Sequence, residues 1–189
     1  IFDEKWKGKS GLNVDPLIAF GQAVMAMNSL GLMDAKNPGN PSAAEIDEAA
    51  KFLISKKKDG QFRALWGDFG ELVNLMASGE TVIQSMWSPA VTKVRSMGIP
   101  CVFQPLKEGY RSWASGFCVS KAVAGGPKLD WAYEFVNWYL SGWAGAYLNR
   151  QGYYSAVLST AKANMTEDEW GYWMEGKPAT QDIKSPNGD

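Results

Sequence analysis

The amino-terminal half of the chain alternates helix starts with short apolar runs, and that alternation restricts the fold more than any other feature. Asp15-Pro16 places a carboxylate at a cap and proline at the first helical position. Leu17, Phe20, Val24, Met27 and Leu30 then follow the helical period to Gly31. Ser42 with Glu45 forms a capping box, and its helix runs through Phe52 to about Lys57. Lys56 to Lys58 close it, where positive charge suits the dipole. Asp68 caps a third helix ending at Gly79, and Ser88-Pro89 begins a fourth that stops at Gly98. Between them, Phe62–Trp66 and Thr81–Met86 read as strands. Only the residues before Asp15 read as an irregular start with a turn. Strands that alternate with helices in this way pack as a mostly parallel sheet, an α/β architecture.

The second half is helical and aromatic. Asp130–Leu140 carries Trp131, Phe135, Trp138 and Tyr139, Ser141-Gly142 interrupts it, and Trp143–Arg150 continues it. Gly152-Tyr153-Tyr154 is a turn, followed by a helix over about 155–163. Thr166 and Glu169 form another capping box for a helix to Trp173, and the tail from Gly176 reads as loose. Between the halves, the stretch Gln104–Lys121 opens with a polar link bearing Tyr110, Arg111 and Trp113. That link is flanked by two short apolar runs, Cys101–Phe103 and Gly116–Ser120, that read as strands. The link is a hairpin or a crossing between lobes. Its rings and polar neighbours suit a ligand cleft or, equally, a surface hairpin with a half-buried Trp.

Composition removes several function classes. With 189 residues and 46% apolar, the chain can bury a core. No histidine is present, which excludes imidazole-based triads, the usual general base and the commonest metal ligand. A net charge of −1 gives no nucleic-acid surface, and no apolar run approaches the length of a membrane span. Phosphate-loop, dinucleotide and serine-hydrolase motifs are missing. No catalytic residue, metal site or cofactor is expected. Cys101 and Cys118 read as buried free thiols, a bridge being the alternative. Ile1-Phe2-Asp3, with neither initiator Met nor signal peptide, reads as the interior of a longer chain. Nine Trp, eight Phe and seven Tyr raise the odds of a ring-lined cleft. Asp15, Asp68, Trp87, Trp113, Ser115 and Tyr153 sit at element ends or on the link, where α/β proteins bind ligands.

Four segments taken in order, WKGKSGLNVDP, GETVIQSMWSPA, LKEGYRSWASGFCVS and LNRQGYYSAV, resemble the solute-binding proteins of bacterial ABC importers, in particular the spermidine/putrescine-binding type. The likeness runs from Trp6 to about Lys177. It implies a periplasmic-binding-protein-like fold of type II, two α/β lobes hinged by crossing strands, of which this chain would be a C-terminal fragment lacking most of the first lobe. On that likeness residues 1–105 belong to the second lobe, 106–152 cross to and help build the first, and 153–189 return. The family's cleft aromatics fall on Trp87, Trp113 and Tyr153, and its first amine-binding acid on Asp15. Two further acids are replaced, by Ile18 and Ser115. Protonated amines need carboxylates to replace lost hydration, so the solute is expected to be polyamine-like or a less charged, even partly anionic, relative, with Arg63 or Arg111 as an anion partner. Ser115 and Asp68 would help Asp15 orient it.

The implied role is therefore a periplasmic or membrane-tethered subunit, not an enzyme, that hands a small polar solute to an inner-membrane ABC permease. Two other readings stand beside it. One is a carbohydrate-binding or carbohydrate-active protein that stacks sugars on Trp or uses paired carboxylates. The other is a structural fragment whose aromatics are all core, the case if Trp87, Trp113 and Tyr153 share one buried cluster.

Overall fold

The computed structural model describes residues 1–104, 106–110 and 113–173, and the chain divides into two compact units. The first comprises Ile1–Ile99 and Gln104–Arg111, the second Pro100–Phe103 and Ser112–Asp189. Arg111 and the expected loose tail from Gly176 lie outside the described residues.

In the first unit a 3-10 turn at Glu4–Trp6 leads into β1 (Ser10–Asn13), then α1 (Pro16–Ser29), α2 (Ala43–Lys58), β2 (Phe62–Trp66), α3 (Phe69–Ala77), β3 (Ile83–Gln84) and α4 (Ser88–Arg95). The sheet is parallel, in the order β2-β1-β3. Its centre, β1, lies where the sequence predicts only an irregular start. Ser-Gly-Leu-Asn shows no apolar alternation, because a central strand is covered on both sides and its polar side chains are satisfied internally. The Ser10 hydroxyl donates to the Gln61 carbonyl at 2.9 Å, and Asn13 Oδ1 accepts the Asp15 N–H at 2.7 Å. Conversely, the strand predicted over Thr81–Met86 is only Ile83–Gln84.

Period-two alternation assigns the faces. Leu12 and its partner Leu65 join Phe2, Ala19, Phe52 and Leu53 in a core under α1 and α2. A second cluster of Ala23, Val24, Met27, Ala35 and Ala49 ties α1 to α2. On the other face, Gln84 reaches the Leu72 carbonyl of α3 at 2.7 Å. Gly11 is glycine because a Cβ there would come within 2.7 Å of Gln84 Oε1.

The second unit holds α5 (Pro127–Leu140), α6 (Trp143–Arg150), α7 (Leu158–Lys162) and α8 (Glu167–Trp173). The interruption at Ser141-Gly142 forms as predicted. Gly142 has φ 115°, and a Cβ on it would meet the Thr160 carbonyl at 2.0 Å, so the corner between α5 and α6 needs glycine twice over. The helix expected from Ser155 begins only at Leu158.

Neither apolar run beside the central link is a strand. Every residue over 113–120 is exposed, so pairing there would bury nothing and leave a bare edge of backbone donors. Both expectations of buried thiols fail with them: Cys101 is half-buried, Cys118 is exposed, and the two are not joined.

Candidate functional site

Each of the three strands runs directly to a helix start, so a parallel sheet gathers three such starts at its carboxyl edge. Asn13 and Trp66 are Cα partners in the ladder, and Asp15 and Asp68 each follow two residues later, past the ends of these neighbouring strands. Trp87 follows β3 and stands at the N-cap of α4. The topology thus brings Asp15, Asp68 and Trp87 to one rim of the first unit, where open α/β sheets bind ligands.

Both acids cap helices through a single oxygen. Asp15 Oδ1 accepts the N–H groups of Leu17 at 2.8 Å and Ile18 at 3.4 Å. Asp68 Oδ1 accepts the Glu71 N–H at 2.9 Å, while Glu71 Oε2 accepts that of Gly67 at 2.9 Å. Each capping carboxylate therefore keeps Oδ2 out of the cap, and both side chains are exposed. Trp87 provides no side-chain cap to α4. Its ring, 39% exposed, lies edge-to-face on the fully buried Trp66, centroids 5.1 Å apart at 87°. Val14, Leu17 and Phe69, also exposed, add apolar surface beside the two acids in sequence.

The other expected residues belong to the second unit. Trp113 is 60% exposed and Ser115 is exposed, both on the irregular segment. Tyr153, 42% exposed, follows the turn at Gly152, and its N–H donates to the Leu148 carbonyl at 3.0 Å. A small apolar recess in this unit, lined by Tyr139, Leu140, Gly142, Gly145, Leu148 and Thr160 among others, contains none of the expected residues. None of Trp87, Trp113 and Tyr153 is buried, which removes the premise of an all-core fragment.

The sequence reading missed Trp66. Its signal was available: alternation with Leu65 sets it on the opposite face, and its position at the end of the strand before Gly67-Asp68 puts it under the rim. Of the two proposed anion partners, Arg63 is paired with Glu80 at 2.7 Å, and Arg111 lies outside the described residues. Among the described residues no cluster of acids or thiols could hold a metal ion, and no helix is long and apolar enough to cross a membrane.

The family model described as bacterial extracellular solute-binding protein matches residues 1–184 of this chain. No curated protein and no solved structure matches it.

Proposed function

The chain belongs to the bacterial extracellular solute-binding proteins, which capture small solutes for ABC importers, and from that membership we propose that the strand-end rim of its first unit receives a small polar solute bearing a protonated amine. The solute is polyamine-like or a less charged relative with at least one ammonium end, delivered to a permease in the inner membrane. The observation that carries this reading is the pair Asp15 and Asp68, each two residues past the ladder pair Asn13 and Trp66, with one oxygen of each left over from capping. An ammonium leaving water needs such acceptors, and a half-exposed indole beside them adds roughly 0.5–2 kcal/mol of cation–π attraction.

Asp68 supplies a second acid in place of those replaced by Ile18 and Ser115, which restores the case for a cation. The pairing of Arg63 with Glu80 weakens the case for an anion. The likeness to the spermidine/putrescine-binding type also proposes Trp113, Ser115 and Tyr153 as solute contacts. Capture requires no bond to be made or broken, so no catalytic role is assigned to any of them.

The test is mass spectrometry of the small molecule that leaves the full-length protein when a preparation purified without refolding is denatured. An amine is the expected result. A neutral sugar or a dicarboxylate overturns the assignment.

A further inference from the structure

We propose that Trp66 is a positioning residue of the solute site: it holds Trp87 in a single orientation before any solute arrives. This deepens the reading above and rests on it.

Trp66 ends β2 with no exposed surface, and its Cα partner Asn13 holds the backbone of Asp15. Its indole N–H is buried without an acceptor among the described residues. An unpaired buried donor is a cost that phenylalanine would not carry. The position therefore exploits the breadth of the indole, not its hydrogen bond. That breadth is what reaches Trp87, 5.1 Å away and edge-to-face. Trp87 itself lies at the junction of β3 and α4. It follows a two-residue strand and does not cap the helix it precedes.

A large ring in that situation samples several rotamers, and a solute stacking on it must select one. Contact with an immobile ring beneath removes that freedom in advance, so less ordering remains to oppose binding. Trp66 acts only through Trp87 and does not touch the solute.

The test uses the full-length protein, with putrescine as the probe in calorimetry and 5-fluorotryptophan labelling for fluorine NMR. Trp66→Phe is expected to melt close to the wild type, because lost ring area and removal of the orphan donor oppose one another, yet to bind putrescine about tenfold more weakly. In a Trp87→Ala background, Trp66→Phe is expected to cost nothing further. Additive losses would show that Trp66 acts independently and overturn the inference. If Trp66→Phe binds as the wild type while Trp87→Ala does not, the inference fails and the solute site stands. If Trp87→Ala also binds as the wild type, the site assignment itself fails.

The fluorine spectrum does not need a stable Trp66 variant. The Trp87 resonance, identified by its loss in Trp87→Ala, is expected as one narrow line in the free wild-type protein. A broadened or doubled line that sharpens only on adding putrescine overturns the proposal.

Discussion

Cap residues were readable from the sequence because their chemistry is local. Asp15, Ser42, Asp68 and Thr166 each accept N–H groups within three residues, so neighbouring letters suffice to find them. Asp68→Asn separates the two roles given to that side chain, since asparagine caps as well as aspartate but carries no charge. It should leave stability within about 0.5 kcal/mol while weakening amine binding about tenfold, read by denaturation and calorimetry on the same sample. The two constrained glycines make sharper structural tests. Gly142→Ala places a methyl against the Thr160 carbonyl at a φ that L-residues avoid, and should cost on the order of 3 kcal/mol in chemical denaturation. Gly11→Ala displaces Gln84, whose amide is held by Leu72 and Thr81, and should cost about 1–3 kcal/mol. The meeting of Trp66 with Trp87 was not readable, because it depends on strand register rather than on neighbours in sequence.

At the level of elements, helices were predicted well and strands unevenly, for one reason. Helix signals lie within a segment, whereas a strand exists only if a partner completes its ladder. Phe62–Trp66 has that partner in β1, while the apolar Gly116–Ser120 lies exposed and unpaired with any ladder. The same dependence hid β1, a polar segment made into a strand by neighbours on both sides. The last described helix shows how a tertiary contact fixes an element that its length alone would leave marginal. Arg150 of α6 grips Glu169 of α8 through Nε at 2.7 Å and a second nitrogen at 3.0 Å, and also reaches the Asn164 carbonyl. The Arg150 hydrogen bonds, followed by the Thr166 N–H, pull the Glu169 carboxyl down from 4.5 to about 2. A carboxylate with a depressed folded value contributes stability that is complete above pH 4.5 and is lost as the pH falls toward 2. Thermal melts from pH 7 to pH 3 should therefore fall more steeply for the wild type than for Arg150→Met, and equal slopes would remove this pair as the cause.

Across the whole molecule, the α/β class was legible and its quantities were not. The alternation of capped helices and apolar runs implied a parallel sheet, but not that it would have three strands with the least apolar one at its centre. Nor did the count of rings reveal where they would go. In α5 no residue is buried, and Trp131, Tyr133, Phe135 and Trp138 are all exposed, as are Trp143 and Tyr147 of α6. Surface of this kind on an isolated chain invites association. Expressed alone, the 189-residue chain should bind a hydrophobic dye and sediment as a concentration-dependent mixture, and a dye-silent monomer would contradict the exposure described. Four of those rings continue a series that starts at Phe117: Phe117 on Phe135 at 5.8 Å, Phe135 near Trp138 at 5.8 Å, Trp138 by Trp143 at 6.0 Å, and Trp143 stacked on Tyr147 at 5.9 Å. Chromophores this close exchange excitation and couple their electronic transitions. The ultraviolet dichroism of this protein will therefore carry an exciton signal on top of that from its peptide groups, and a helix content deduced from the spectrum without allowing for it will be wrong.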